Sequence, residues 1–403
     1  MSKIGGRPPG RTTAADPGLI ITYIFPGALA LCRRFKTSAS VIIRLRRIVL
    51  ISSDGEFPMD EWYPQEQIQM GSDRGRGNLL GVQPYLTPAD YASESAFLER
   101  LRGYLEAARQ AGWLNPRSVV VFPEYTGTWL VAAGGGPGVT QAATTSQAMR
   151  PLALRQPLAF LRRLLGSTER ERVTAALFRL KARQVAEIYQ RAFAGLAAQF
   201  GITIVAGSVL LPEPGVRDGV VIPGRGPLYN VSAVFGPDGR AHPRLARKAF
   251  PIAAELPFIT AGNAGDLPIF ETPAGRLGVL VCADAWYPQA YQAMRGGEAE
   301  FLAVPSFISS DDAWEQPWGG YNGAPAPADV DPADLGRLSE GQAWRKYALA
   351  RRIGLSGAAR GINVFLHGKL WDLGSNSGAS LMVDGGEVRE AQGRGAALLN
   401  LWL

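Results

Sequence analysis

Residues 275–288 read GRLGVLVCADAWYP. Positions 276–281 read as a strand, apolar from Leu277 onward, and Cys282 follows it directly. A strand end that opens into a turn is where a side chain meets a pocket and where backbone N–H groups are free to point at a ligand. A second run of this kind, 119–122, is followed by Pro123 and Glu124. Lys248 lies in a third stretch, RKAFP at 247–251, and Glu255 comes seven residues later. Read singly, each has an ordinary explanation. A lone cysteine is most often a buried structural thiol, and carboxylates and lysines at strand ends are usually solvated.

Outward from these points the chain alternates strands and helices, the pattern of an α/β fold. Strands are expected at 79–82, 119–122, 202–211, 228–235, 276–281, 301–304, 363–367 and 380–383, with one more at the C-terminus. Thr87-Pro88-Ala89-Asp90 reads as a helix start, with Thr87 as N-cap and Pro88 at the first helical position. Gly112 ends that helix. A long helix is expected over 168–200 with Gly201 as its stop, and another over 340–358. Residues 126–158 are rich in Gly, Ala, Thr and Pro and read as a mobile loop. The Gly134–Gly138 cluster there lacks the Gly-Lys-Ser/Thr of a phosphate-binding loop. Residues 309–338 read as an irregular insertion of lid type. No internal repeat is evident.

The chemistry that Cys282, Glu124 and Lys248 could support is specific. A thiol needs a base or a positive neighbour before it is a good nucleophile. Histidine is the usual base, but His242 and His367 stand in no Cys/His signature. A partly buried carboxylate can serve instead when its pKa is raised, and a lysine can stabilise both a thiolate and an oxyanion.

Composition narrows the partners. The 403 residues hold 42 Lys+Arg and 35 Asp+Glu, a formal charge of +7. Residues 1–58 contain nine basic and three acidic groups, a net of +6, so the body carries only +1. A nucleic-acid-binding face over the body is therefore not expected. Two cysteines, Cys32 and Cys282, make no disulfide framework and suit a reducing compartment, so the cytoplasm is the expected location. Two histidines leave no zinc-type site, and no cofactor is expected. The apolar run 18–32 is too short to span a bilayer, and 41–51 mixes apolar and basic residues. Membrane contact through residues 18–51 is one reading of this segment. A poorly ordered tail, or a true start at Met59, is the favoured one.

The ordered set of motifs resembles the carbon–nitrogen hydrolase (nitrilase/amidase) superfamily. It comprises VVVFPEY at 119–125, YNVSAVFGPDG at 229–239, RKAFPIAAELPFITAG at 247–262, the cysteine stretch at 275–288 and GSNSGASLMVDGGEV at 374–388. The resemblance implies a four-layer α-β-β-α sandwich over 78–403, preceded by an N-terminal extension, 1–77. It implies Cys282 as nucleophile, Glu124 as general base and acid, and Lys248 with the Ala283 N–H as oxyanion stabilisers. Glu255 resembles the family's second glutamate, although its spacing from the lysine is one residue shorter than the common pattern. True nitrilases usually have Trp-Glu after the cysteine, whereas this chain has Ala283-Asp284, so an amide or carbamoyl substrate is expected rather than a nitrile. Trp286, Tyr287, Ser306, Phe307 and His367 are candidate pocket residues by position. The family also implies a small-molecule substrate and a homo-oligomer. N-acyl transfer and a non-catalytic binding role are the competing readings. Asn230-Val231-Ser232 matches a glycosylation acceptor, but its place in an expected strand argues against that use.

Overall fold

The computed structural model describes residues 62–374 and 376–403. The stretches 18–32 and 41–51, Cys32 and Met59 lie outside the described residues. Two six-stranded sheets organise the chain. The first runs Glu66–Met70, Ala397–Trp402, Asn78–Gln83, Ser118–Phe122, Thr203–Ala206, Val234–Phe235. The second runs Ile269–Thr272, Gly275–Val279, Phe301–Ser306, Arg360–Phe365, Leu381–Asp384, Glu387–Glu390. Both are mixed, with parallel pairs at the centre, such as Ser118–Phe122 beside Thr203–Ala206 and Gly275–Val279 beside Phe301–Ser306.

The sheets face each other across a layer of buried apolar side chains. Leu79, Val119, Val121, Leu399 and Leu401 of the first meet Leu277, Val279, Ala303, Ile362 and Val364 of the second. Alternate residues of the first sheet, such as Leu80, Val120, Phe122 and Ile204, turn the other way, toward helices Glu94–Gln110 and Arg172–Phe200. Leu302, Val304, Phe365 and Val383 of the second likewise face helices Pro288–Gly296 and Glu340–Tyr347. The order is helix, sheet, sheet, helix. Strands buried on both faces explain why they read as continuous apolar runs rather than alternating ones. Gly81 lets the sheets approach closely, since a Cβ there would stand 2.6 Å from Ile362 and Val364.

Several expectations are corrected. The helix begins at Glu94, capped by Ser93, not at Thr87. Asp90 instead accepts from the Thr87 N–H and hydroxyl, which closes a separate turn. Glu66–Met70, a half-polar strand inside the stretch read as an extension, pairs in parallel with Ala397–Leu401, so the sheet starts upstream of residue 78. The strand expected at 202–211 breaks into Thr203–Ala206 and Val209–Pro212 at Gly207. Its φ is +61°, and a Cβ there would lie 2.2 Å from the Pro123 carbonyl. The helix expected at 340–358 breaks at Ala348, whose φ and ψ are −118° and −148°.

Residues 126–158 are not a mobile loop. They form Thr128–Ala132, Pro137–Thr140, Thr145–Leu154 and the start of Pro157–Leu165. Proline opens two of these helices, and the Thr144 side chain caps a third by accepting from the Gln147 N–H, the positions helices favour for those residues. Residues 309–338 are irregular, as expected, apart from the single turn Pro332–Asp334.

Candidate functional site

Glu124, Lys248 and Cys282 each follow a strand: Ser118–Phe122, Ala246–Arg247 and Gly275–Val279. In sheet proteins of this kind, ligands collect at the carboxyl ends of strands. The three come together here, and all are buried. Lys248 Nζ lies 2.8 Å from Glu124 Oε1 and 2.7 Å from Glu255 Oε2. Glu255 is thus brought to the site despite its shortened spacing. The Cys282 thiol interacts with Glu124 and sits 3.7 Å from the Phe307 carbonyl oxygen.

Two further residues complete this network. Asn230 donates its amide to Glu124 Oε1 at 2.8 Å and to Glu255 Oε1 at 3.2 Å. The Tyr125 hydroxyl donates to the same Glu255 oxygen, while Glu255 Oε2 accepts from the Ile252 N–H at 2.9 Å. Asn230 comes from Leu228–Ser232, the middle strand of a small antiparallel sheet that also carries Ala246–Arg247 and so delivers Lys248. Its buried, occupied amide leaves no place for a glycan.

Burial pushes the Glu124 carboxyl up, and Glu255 adds to that, while Lys248 pulls it down; the net direction is upward. Burial opposes the charge on Lys248, but the two carboxylates outweigh it and hold the ammonium well above its usual range. Burial and the Glu124 charge push the Cys282 thiol well up, against the pull of Lys248. The resting site therefore has a protonated thiol beside a carboxylate whose proton affinity is raised, which is the pairing a thiol with a carboxylate base requires.

Backbone conformation aims these groups. Cys282 has φ +51° and Tyr125 has φ +64°, the left-handed region that non-glycine residues enter at a cost of about 1 kcal/mol or more. Asp284 holds the cysteine turn to the lysine loop. Its Oδ1 accepts from the N–H groups of Ala249 (2.8 Å) and Phe250 (2.9 Å), and its Oδ2 accepts from Val281 (3.1 Å). Burial pushes its carboxyl up to about 7, with those N–H groups and Lys248 opposing.

The candidate pocket residues fall into two groups. Ala283 follows the thiol in the turn Cys282–Trp286, and the Phe307 ring packs on Tyr125 at 5.4 Å. Trp286 meets Trp318, Tyr321 and Trp344, and Tyr287 stacks on Phe250 at 3.8 Å. Tyr321 donates to the Trp286 carbonyl and Tyr287 to the Ala324 carbonyl, which pins the 309–338 segment over the cysteine turn. Ser306 and His367 are held by neighbours instead. Ser306 Oγ accepts from Asn363 at 2.7 Å. His367 Nδ1 accepts from the Gly395 N–H, so Nε2 carries the proton and donates to the Gly378 carbonyl at 2.8 Å.

Burial pushes the His367 imidazole down to about 4. A value below that of the unfolded chain gives a contribution that is complete above pH ~6.5 and lost as pH falls toward 4, worth about 3 kcal/mol. Urea denaturation of the wild type and His367→Gln near pH 7 and near pH 4 should show this loss in the wild type and a markedly smaller one in the variant.

Among the described residues no His/Cys/Asp/Glu group could hold a metal, and no helix is long and apolar enough to cross a membrane. The carbon–nitrogen hydrolase family pattern matches residues 80–319. N-carbamoylputrescine amidase of Solanum lycopersicum is 31% identical over 109 residues, 24% of this chain and 36% of that protein. The omega-amidase of Danio rerio is 27% identical over 154 residues, 37% of this chain and 47% of that protein. The chain thus spans less than half the length of these curated relatives. Among solved structures, an amidase from Nesterenkonia sp. is 17% identical with a TM-score of 0.48, covering 81% of this chain and 90% of that one. A carbon–nitrogen hydrolase from Helicobacter pylori is 19% identical with a TM-score of 0.48, covering 80% and 89%.

Proposed function

Because this chain belongs to the carbon–nitrogen hydrolase family, we propose that it hydrolyses a non-peptide amide or carbamoyl C–N bond through a thioester on Cys282. The observation that carries this reading is the buried network in which Lys248 bridges Glu124 and Glu255 beside the thiol.

Glu124 takes the thiol proton as Cys282 sulfur bonds to the carbonyl carbon. The carbonyl electron pair moves onto oxygen, where Lys248 Nζ and the Ala283 N–H stabilise the charge. The oxyanion collapses, the C–N bond breaks, and Glu124 returns its proton to the departing ammonia or amine. Glu124 then takes a proton from water, which attacks the thioester, and the acid leaves as Cys282 regains its proton. Glu255 and Asn230 act by positioning Lys248 and Glu124. The amide preference over nitrile rests on Ala283-Asp284 after the cysteine, with Asp284 committed to backbone N–H groups.

Ammonia release from a panel of aliphatic amides, carbamoyl amines and the matching nitriles tests the proposal. Release from amides or carbamoyl amines at a kcat/KM at least tenfold above that for the nitriles is expected. Turnover of nitriles alone would overturn the substrate class.

A further inference from the structure

Four of the nine exposed large apolar side chains among the described residues lie within twelve positions: Leu154 (70% exposed), Leu158 (78%), Leu161 (48%) and Leu165 (71%). Leu158, Leu161 and Leu165, spaced three and four apart, share one face of helix Pro157–Leu165, and Leu154 stands exposed at the end of the preceding helix Thr145–Leu154. Phe160, on the opposite side, packs against the core. The apolar row is therefore additional to what holds the helix in place, and helix Pro157–Leu165 buries no residue fully.

The charge around this row has one sign. From residue 125 to 168 the chain contains four arginines, Arg150, Arg155, Arg162 and Arg163, and no aspartate or glutamate. Arg162 and Arg163 are exposed beside the leucines. Arg163 also lines an open groove with Arg179, Arg183, Arg191 and Arg225, where Glu187 is the one acid. Glu169, Glu187 and Glu94 pair with Arg179, Arg183 and Arg191, which leaves the Arg163 and Arg225 side as the cationic rim.

We propose that this face docks the protein onto an anionic lipid surface, with Leu158, Leu161 and Leu165 in the acyl boundary and Arg162 and Arg163 against the headgroups. Exposed leucines flanked by arginines on a short surface helix are the arrangement that binds in the plane of a bilayer. At about 1.5 Å per residue the segment is far too short to span, so it lies flat. Charge decides against a second copy as the occupant. A two-fold contact would set the patch against itself and bring Arg162 and Arg163 of both chains together, with no aspartate or glutamate within 125–168 to separate them. An anionic headgroup layer satisfies both features at once.

The test is flotation of the full chain with phosphatidylcholine vesicles, with and without about one third phosphatidylglycerol, at low and high salt. The wild type is compared with Leu158→Glu/Leu161→Glu/Leu165→Glu and with Arg162→Glu/Arg163→Glu. Glutamate suits an exposed helix, and circular dichroism melts check the fold. The expected result is binding to the anionic vesicles only, weakened by salt, and at least tenfold weaker in both variants. Absence of wild-type binding would overturn the proposal. Unchanged binding in folded variants would also overturn it and place any contact elsewhere, such as residues 18–51. A leucine variant that alters the sedimentation coefficient without altering vesicle binding would instead make the face a contact between copies.

Discussion

Replacing Lys248 with methionine is expected to lower the stability of the folded protein by about 3–5 kcal/mol near neutral pH, the cost of breaking a buried ion pair from one side. The loss comes less from the lysine's own contacts than from what it leaves behind. Glu124 and Glu255 both contact Nζ and are both buried, so the variant holds two carboxylates with no cation between them. Asn230 and Tyr125 still donate to them, but neutral donors do not cancel charge. The pH dependence has a definite sign. Burial and the Glu255 charge already push the Glu124 carboxyl up, and removing the ammonium removes the neighbour that pulls it down, so the deficit shrinks as pH falls and grows as pH rises through the Glu124 folded value. Urea denaturation of wild type and Lys248→Met near pH 5 and near pH 7.5 measures it. A deficit below about 1 kcal/mol at the higher pH would mean that the two glutamates are not charged neighbours of this lysine. Turnover should be lost in the same variant, since the oxyanion loses its cation and Glu124 its partner.

The second large effect is on rate with little effect on folding. Cys282→Ala should reduce amide turnover on the order of 10⁴-fold or more, as expected when a covalent nucleophile is removed. The substitution deletes one sulfur from a buried site and keeps the backbone requirement, because alanine meets the same φ of +51° as cysteine does. The stability cost should be about 1 kcal/mol. A folded variant with near-wild-type turnover would remove Cys282 from the chemistry. A parallel loss of fold and turnover would be distinguished by the melting curve.

The strand ends that carry Glu124 and Cys282 are legible in the sequence because central strands between two covered faces are continuous apolar runs, and their ends are sharp. Lys248 and Glu255 are legible through the motif around them. The rest of the network is not, for identifiable reasons. Asn230 lies inside a strand, where a polar residue has no periodic signal to mark it as inward-facing. Tyr125 follows Glu124, and nothing in its type announces a positive φ. Asp284 reads as one more polar residue after the cysteine until its three N–H donors from two separate segments are seen. Helix and strand breaks at Ala348 and Gly207 depend on neighbours distant in sequence; Gly207 must let the Pro123 carbonyl approach. The short helices within 126–158 carry start signals, at Thr144 and at Pro157, that the surrounding glycines and alanines obscure. His367 is the opposite case. A histidine after a strand suggests chemistry, yet both ring nitrogens are spent on backbone groups.

The most direct measurement of a thioester on Cys282 is intact-protein and peptide mass spectrometry of the enzyme quenched in acid during turnover of an amide substrate. The expected result is an added mass equal to the acyl group, located on the peptide containing Cys282, removed by hydroxylamine and absent from Cys282→Ala. Continued amide hydrolysis by Cys282→Ala, or an acyl group carried by another residue during turnover, would contradict it.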